Sequence, residues 1–238
     1  MNLAERDARL AELMDDPACD PERLRRTLRR FGVVNRAVSS WGSVYRSHLR
    51  PVLAALDGPA RMLDIGSGGG DVLRRISRLA LRDGFRIEAL GIDPDPRALG
   101  AARAGRPVAG LSFRETRSRT LVEHGARFDI VISNHLLHHL DDDAFRELLS
   151  DSAVLATRLV VHSDIARSRT AYLAFAAAVT PIAPGSFLRV DGLRSIRRSY
   201  TLPELEQRLP AEWRAESPGP FRLLAVHRGA SEERQEGR

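Results

Sequence analysis

The sequence predicts an α/β fold with a seven-stranded, mostly parallel sheet, and two observations lead to this prediction. From residue 60 onward, short apolar runs alternate with segments of helical periodicity. This alternation is typical of strands that are joined by crossover helices. The first apolar run ends in an acid and passes directly into a glycine-rich turn at residues 66–70. A turn of this kind lies at the ligand-binding edge of such sheets.

The apolar runs place the elements along the chain. Strands are predicted near 60–65, 86–92, 111–114, 128–133, 158–163, 211–216 and 221–228, and helices near 70–82, 95–103 and 142–155. Apolar strands separated by helices favour a parallel sheet that is covered on both faces. Right-handed crossovers bring the carboxyl ends of its strands to one edge. We therefore expect Gly66, Asp93, Asn134 and Asp164 to lie together at that edge.

Residues 1–57 are predicted to form a helical cap in front of the sheet. Leucines recur at helical spacing within residues 3–14. A second helix begins at Asp20-Pro21-Glu22, where an acidic cap precedes proline at the first helical position. A third helix is predicted from about residue 35 to 48, ending before Pro51 because proline disfavours helix in the residue before it.

Residues 58–228 are predicted to form the core domain, with an insertion at 165–200 after the fifth strand. Within the insertion, residues 171–179 are apolar on nearly every face, which is typical of a buried helix or of one that lines an apolar pocket. Residues 184–192 are predicted to be a loop. The tail at 229–238 is polar and charged, and we expect it to be disordered.

Composition argues against several classes of protein. The formal net charge is +6, but every basic residue is arginine, the arginines are mixed with acids, and aromatic residues are only 5% of the chain. Stacking platforms for bases are therefore not evident, and no nucleic-acid partner is predicted. The single cysteine, Cys19, cannot form an intrachain disulfide and suits a reducing cytoplasm. No apolar stretch reaches the roughly 20 residues of a membrane span.

The glycine-rich turn differs from the dinucleotide-binding pattern G-x-G-x-x-G, since Asp71 stands at the sixth position. The turn instead reads D-x-G-x-G-x-G, with Asp64 as the acid that ends the strand. A second acid, Asp93, ends the next apolar run at the distance where a carboxylate can accept hydrogen bonds from a ribose diol. The pattern indicates a cofactor that contains a ribose.

These residues resemble the class I S-adenosylmethionine-dependent methyltransferases, and the resemblance covers roughly residues 58–228. Asp64 and Asp93 match the two acids of that family, and the segment from Phe128 to Leu140 resembles its quinone-biosynthesis-like branch. The resemblance implies S-adenosylmethionine as cofactor, with the glycine turn under its amino-acid and ribose parts. The residues expected to contact it are Asp64, Gly66, Ser67, Gly68, Gly70, Asp93, Pro94, Thr116, Asn134 and His135. The aspartate that many relatives carry after strand three is missing, and Thr116 or Arg117 takes its place.

Histidines after the fourth strand are the candidates for acid–base chemistry. Methyl transfer requires that the acceptor is positioned behind the methyl carbon and that one proton is removed. Histidine suits this task because its pKa lies near neutral pH. We predict His139 and His138 as catalytic residues, of which at most one faces the acceptor, and Asp164 as an acceptor contact. Strand alternation directs His162 toward the interior.

A metal site and an anion-binding site are two further functions that residues of this region could have. His135 and His139 have i, i+4 spacing, but the H-E-x-x-H pattern is absent and a turn is expected here, so no metal site is predicted. Three arginines of the insertion, Arg194, Arg197 and Arg198, are open to two interpretations. They either bind an anionic acceptor or form a solvated face.

The predicted activity is methyl transfer to oxygen or carbon of a small aromatic, quinol or lipid-like acceptor, in a setting such as secondary metabolism. The protein is expected to be a monomer or a homodimer. One alternative is an RNA or protein methyltransferase, although strand four lacks the Asn/Asp-Pro-Pro-aromatic sequence of amino-group methylation. The other is a cofactor-binding partner protein that does not catalyse a reaction.

Overall fold

Seven strands form one sheet in the computed structural model, which describes residues 3–38, 40–219 and 221–229. The strands are β1 (Ala60–Ile65), β2 (Ile87–Asp93), β3 (Leu111–Glu115), β4 (Phe128–Asn134), β5 (Ala156–Ile165), β6 (Trp213–Gly219) and β7 (Arg222–Arg228). Their order across the sheet is β3-β2-β1-β4-β5-β7-β6. The first five run parallel, and β7 is antiparallel to both of its neighbours. The predicted fold class is confirmed.

Helices cover both faces of the sheet. They are α1 (Pro21–Val38), α2 (Trp41–Val44), α3 (Arg50–Ala54), α4 (Asp71–Arg82), α5 (Pro96–Ala104), α6 (Ser118–Glu123), α7 (Asp142–Leu155), α8 (Arg169–Val179), α9 (Leu188–Arg198) and α10 (Leu202–Arg208). Side chains alternate along a strand, so Ile130 and Ile132 of β4 pack with α2–α4, while Val131 packs with α6, α7 and α10. In the described part of the chain, no helix combines the length and apolarity that a bilayer crossing requires.

The parallel registers bring the strand ends to one edge. Ile65 pairs with Ile92, and Asn134 pairs with Ser163, so β1, β2, β4 and β5 finish at similar heights. The chain leaves β1 into the glycine turn and leaves β4 into the histidine-rich segment. The acids at the ends of β1 and β2 and the histidines after β4 therefore lie along the same edge of the sheet, which is concave.

The predicted end of a helix before Pro51 is wrong. A π-helical turn at Tyr45–Leu49 links α2 to α3, and Pro51 lies inside α3. The Arg50 N–H donates to the Tyr45 carbonyl in this turn. A proline has no N–H and crowds the preceding turn of a regular helix. The wider π turn allows the backbone to continue past it.

The predicted helix within residues 3–14 is also wrong, because only Leu13–Asp15 forms a short 3-10 turn there. Tertiary hydrogen bonds replace helical ones. The Arg167 guanidinium donates to the carbonyls of Leu3 and Ala4, and the Asp191 carboxylate accepts the N–H groups of Leu13 and Met14. We call residues 3–16 the N-terminal segment.

The loop predicted at 184–192 is helical over its second half, where α9 begins at Leu188. Gly192 suggested a loop, yet it lies inside the helix against the Phe175 ring, where a Cβ would come within 2.2 Å of the ring. The glycine thus permits close packing of α8 and α9. The domain boundaries stay predictions. Residues 230–238 of the predicted tail lie outside the described residues.

His162 of β5 is fully buried, as its predicted inward direction requires. Its Nδ1 is 2.8 Å from the Ser133 hydroxyl, and its ring stacks on Trp213 at a centroid distance of 5.5 Å. Burial disfavours the charged imidazole and lowers the pKa of His162 to about 3. The folded protein therefore keeps this histidine neutral in mild acid.

We predict that His162 makes the protein sensitive to acid. Below pH ~6.5 the unfolded chain gains a proton on this histidine that the folded chain does not bind, so the stability falls as the pH falls. Between pH ~7 and ~5 the loss amounts to about 2 kcal/mol. Urea unfolding at both pH values should show that His162→Gln removes this part of the pH dependence. The exposed His124→Gln is the control, and an unchanged pH dependence in H162Q would contradict the prediction.

Candidate functional site

A cavity of about 630 Å³ opens at the edge where the parallel strands end. Its lining includes the glycine turn, the end of β2, the segment after β4, and the N-terminal segment with α1, α8 and α9. The end of β5 and the start of β7 also contribute, with Ile165, Phe221 and Arg222. The glycine turn, the end of β2 and the segment after β4 lie side by side because of the strand order. The N-terminal segment and the insertion helices close the cavity from the other side.

The glycine turn takes a backbone path that favours glycine. Gly66, Gly68 and Gly70 have φ values of +68°, +51° and +70°, a region that most side chains avoid. A Cβ on Gly68 or Gly69 would meet no described atom within 4 Å, so this stretch is open to a ligand. A Cβ on Gly70 would lie 2.3 Å from the Phe113 ring. Gly70 does not line the cavity, and the structure places it in packing instead of at the cofactor position predicted for it.

Asp93 connects the glycine turn to the end of β2 by hydrogen bonds. Its Oδ2 accepts the Gly68 N–H at 3.0 Å, and its Oδ1 accepts the Asp95 N–H at 2.9 Å. Burial raises the pKa of this carboxyl, and the two backbone hydrogen bonds oppose that rise. Asp93 and Pro94 line the cavity, and a carboxylate oxygen can accept further hydrogen bonds beside those it already accepts.

Asp64, at the start of the same motif, is buried beneath the turn and lines the cavity. Its Oδ1 has no hydrogen-bond partner among the described residues. Burial, and then the charges of Asp71 and Asp93, raise the pKa of this carboxyl well above its usual value. A buried carboxylate with an unused oxygen is costly unless a donor pairs with it. A ligand with a cationic amino group, laid along the open glycine turn, fits this environment.

The end of β4 contributes Asn134 and His135 to the cavity lining. The Asn134 Oδ1 accepts the Trp41 Nε1–H at 2.9 Å. His135 has a φ of +57°, and such backbone strain in a residue other than glycine often marks a functional site. Trp41 and Tyr45 are both buried in the cluster that packs helices against the sheet.

Three predicted site residues do not line the cavity in the described structure: Gly70, Thr116 and Asp164. Thr116 follows β3, which is the edge strand of the sheet. The Asp164 carboxylate is buried against His138, with Oδ1 2.7 Å from Nδ1 and Oδ2 accepting the His138 backbone N–H at 2.9 Å. Asp164 therefore orients His138, and an acceptor contact for Asp164 stays a prediction.

His138 and His139 meet two acids that the sequence did not indicate. Glu12 Oε1 lies 3.4 Å from His138 Nε2 and 3.6 Å from His139 Nε2. Asp15 Oδ2 lies 3.3 Å from His139 Nδ1. We call these four residues the histidine–carboxylate cluster, and all four line the cavity.

The two histidines of the cluster differ in exposure. His138 is buried, whereas about 25% of the His139 side chain is exposed. Burial opposes a charge on His138, but the adjacent Asp164 and Glu12 outweigh it and raise the pKa of His138 to about 9. That at most one of the two histidines faces the acceptor stays a prediction, since both line the cavity. His139 is the imidazole with the more open access to the cavity.

Arginines of the insertion hold the N-terminal segment, which carries Glu12 and Asp15, by ion pairs and hydrogen bonds. Arg197 pairs with Asp7 at 2.7 Å, and Arg194 donates to the Ala11 carbonyl. Arg198 is buried and donates to the His139 carbonyl. The contacts described for these three arginines are within the protein, while Arg194 and Arg197 stay partly exposed.

The remaining wall of the cavity is apolar. It includes Leu24 and Leu28 of α1, Phe175 and Val179 of α8, and Ile196 of α9. The prediction that residues 171–179 line an apolar pocket agrees with this position for one face of α8. The opposite face carries Leu173, which is 63% exposed.

Residues 62–156 match the family model described as a methyltransferase domain. The match runs from β1 to the start of β5. The ubiquinone biosynthesis O-methyltransferase of Cereibacter sphaeroides is 32% identical to the chain over 102 residues, covering 40% of this chain and 39% of that protein. That of Rhizobium johnstonii is 31% identical over 87 residues, covering 36% and 33%. The chain therefore spans about two fifths of the length of the curated relatives it matches.

Solved structures extend the likeness beyond the matched segment of the methyltransferase domain. The plantazolicin methyltransferase BpumL, in complex with a monoazolic desmethylPZN analog and SAH, has a TM-score of 0.57 at 17% identity and covers 87% of this chain and 95% of its own. The magnesium protoporphyrin IX methyltransferase ChlM from Synechocystis PCC 6803, with bound SAM, has a TM-score of 0.53 at 15% identity. It covers 90% of this chain and 100% of its own. The fold is that of class I methyltransferases.

Proposed function

We propose that this protein transfers the methyl group of S-adenosylmethionine to oxygen or carbon of a small, largely apolar acceptor that is aromatic, quinol-like or lipid-like. One observation carries the proposal. A single cavity joins the glycine turn with its two acids to an apolar chamber that ends at the histidine–carboxylate cluster. The cofactor and the acceptor can therefore lie in one enclosed space, as an in-line displacement requires.

The cofactor side of the cavity is assigned to the residues at the ends of β1 and β2. The open backbone at Gly66, Ser67 and Gly68 would lie under the amino-acid and ribose parts of the ligand. Asp93 would accept hydrogen bonds from the ribose hydroxyls, and the unpaired oxygen of Asp64 would meet the amino group. The bound cofactor supplies a methyl group that its sulfonium already activates.

The acceptor side is assigned to the apolar wall and the cluster beyond it. An apolar acceptor gains free energy by leaving water for the wall formed by α1, α8 and α9. Its hydroxyl or activated ring carbon would point toward His139, and its proton would be removed at the cluster. Asp164 is a positioning residue in this proposal, since it holds His138 by two hydrogen bonds. The names of the ubiquinone biosynthesis relatives support an oxygen acceptor.

The proposal includes a cytoplasmic location, action without a nucleic-acid partner, and a monomeric or homodimeric state. The lone Cys19 suits a reducing compartment. A role in secondary metabolism belongs to the same proposal.

Calorimetric titration with S-adenosylmethionine and S-adenosylhomocysteine tests the cofactor assignment. We expect both ligands to bind with micromolar affinity. Transfer of a labelled methyl group to a panel of phenols, catechols and hydroquinones then tests the acceptor class. Failure to bind either ligand would refute the proposal. Binding without transfer to any acceptor of the panel would favour the alternative of a non-catalytic binding protein.

A further inference from the structure

Two adjacent histidines and one acid from the N-terminal segment bring possible ligand atoms together in the cavity wall. Glu12, His138 and His139 each offer one atom, and the three atoms all lie within 4.8 Å of one another. Two imidazoles and one carboxylate form a donor set that binds divalent transition metals. No H-E-x-x-H pattern marks the set in the sequence, because the carboxylate comes from the N-terminal segment.

Both histidines carry a carboxylate on the opposite ring nitrogen. His138 Nδ1 lies 2.7 Å from Asp164 Oδ1, and His139 Nδ1 lies 3.3 Å from Asp15 Oδ2. Both Nε2 atoms face Glu12. Metal-binding histidines show this arrangement, in which a carboxylate on one nitrogen fixes the tautomer that leaves the other nitrogen free to coordinate. A carboxylate lies against Nδ1 of both adjacent histidines. This observation is separate from the proximity of the three ligand atoms to one another.

The distances inside the set suit ligands of a shared ion better than hydrogen-bond partners. The two Nε2–Oε1 separations are 3.4 and 3.6 Å, whereas good hydrogen bonds to nitrogen measure about 2.7–3.2 Å. A tetrahedral site with bonds of about 2.0–2.1 Å has ligand-to-ligand edges of about 3.3–3.4 Å. His138 Nε2 is buried and makes no hydrogen bond to any described residue.

The local charge also favours a cation. Glu12, Asp15 and Asp164 lie against the two imidazoles, and Arg198 lies 3.5 Å from Asp15 and donates to the His139 carbonyl. The Glu12 carboxylate is held in place by the Ser195 hydroxyl, which donates to Oε1 at 2.6 Å. Glu12 and Asp164 are buried, and buried carboxylates require a positive partner.

We propose that Glu12, His138 and His139 bind one divalent transition-metal ion, with Zn²⁺ as the fitting example, and that its open coordination position faces the acceptor chamber. Metal binding itself needs only the three side chains. Its role in the reaction rests on the proposed function. The bound ion would narrow the acceptor class of the proposed function to molecules whose hydroxyl oxygen can coordinate the ion.

The ion would act on the proton of the acceptor. A hydroxyl oxygen at the open position loses its proton more readily, as water does on zinc. The O–H bond breaks and the proton passes to solvent. The oxygen lone pair then forms the O–CH₃ bond while the electrons of the S–CH₃ bond stay on sulfur. The products are the methyl ether, S-adenosylhomocysteine and one proton, and no oxidant or reductant is consumed.

Zn²⁺ binding to the full chain tests the proposal. The protein is first freed of metal with a chelator, and its affinity for Zn²⁺ is then measured by competition with a chromogenic chelator. We expect one equivalent to bind and Glu12→Gln and His139→Ala each to raise the Kd at least ~10-fold. Mg²⁺ should not compete, since it disfavours imidazole ligands. The control is Glu216→Gln, whose carboxylate pairs with His48 at 3.2 Å as an ordinary ion pair. It should leave the Kd unchanged.

Thermal unfolding provides a second measurement in case a variant is unstable. Zn²⁺ should raise the Tm of the wild type but not that of H139A. Absence of stoichiometric Zn²⁺ binding, or a Kd that neither cluster variant changes, would overturn the proposal. Titration of the same metal-free sample with S-adenosylmethionine separates the two hypotheses. Binding of the cofactor without Zn²⁺ binding would refute the metal site alone.

Discussion

Replacement of Asp93 by alanine is expected to weaken S-adenosylmethionine binding at least ~100-fold. Hydrogen bonds to a charged group are worth roughly 1.5–3 kcal/mol each, and the ribose offers two hydroxyls to this carboxylate. A ~100-fold change corresponds to about 2.7 kcal/mol. The variant also frees the Gly68 N–H, which Asp93 now holds at 3.0 Å, and so loosens the turn. Calorimetry with S-adenosylhomocysteine measures the effect without turnover.

Asp129→Ala provides the matched control for Asp93. The Asp129 carboxylate accepts a backbone N–H from Arg61 at 2.8 Å, so it makes the same kind of bond. It lies at the opposite edge of the sheet, where β1 and β4 begin. We expect this variant to lose some stability and to keep its cofactor affinity. Equal losses of affinity in D93A and D129A would mean that Asp93 acts through folding alone.

Gly70→Ala is expected to lower the free energy of unfolding by about 2–5 kcal/mol. The left-handed backbone contributes about 1–2 kcal/mol of this, and the overlap of the new methyl group with the Phe113 ring contributes about 1–3 kcal/mol. The ring cannot move freely, because it also packs against Gly91, where a Cβ would approach it to 2.6 Å. Urea unfolding at constant pH measures the loss.

Gly68→Ala separates packing from ligand binding. Gly68 shares the positive φ but faces open space, so only the backbone cost of about 1–2 kcal/mol is expected. Its methyl group would occupy the path assigned to the cofactor, and we expect cofactor affinity to fall well beyond the change in stability. If G68A bound the cofactor as tightly as the wild type, the turn would not be the cofactor seat.

The cofactor side of the site is predictable from the sequence because its residues are local. Asp64 and the glycine turn lie within one stretch, and Asp93 ends the neighbouring strand. The alternation of strands and helices dictates a parallel sheet, and the sheet brings these residues together. Gly70 and Thr116 are the exceptions, since the pattern gives the position of a residue along the chain but not the direction in which its neighbours pack.

The acceptor side could not be predicted in the same way. Glu12 and Asp15 meet His138 and His139 through contacts that span more than half of the chain, and neither acid stands in a motif. The N-terminal segment shows helical spacing, yet arginines from the insertion and Asp191 bind its backbone groups in an irregular path. Local propensity is a weak guide where tertiary hydrogen bonds of this number compete with it.

The fastening of the N-terminal segment to the insertion has an evolutionary consequence. In the proposed function, the glycine turn and Asp93 hold the methyl donor at the edge of the sheet, whereas the groups that face the acceptor come from the beginning of the chain, the segment after β4 and a helical insertion. Substitutions in the first or the last of these pieces would then alter which molecule is methylated without disturbing how the methyl donor is held. The molecule would in this sense be modular, with a donor half and a separate recognition half.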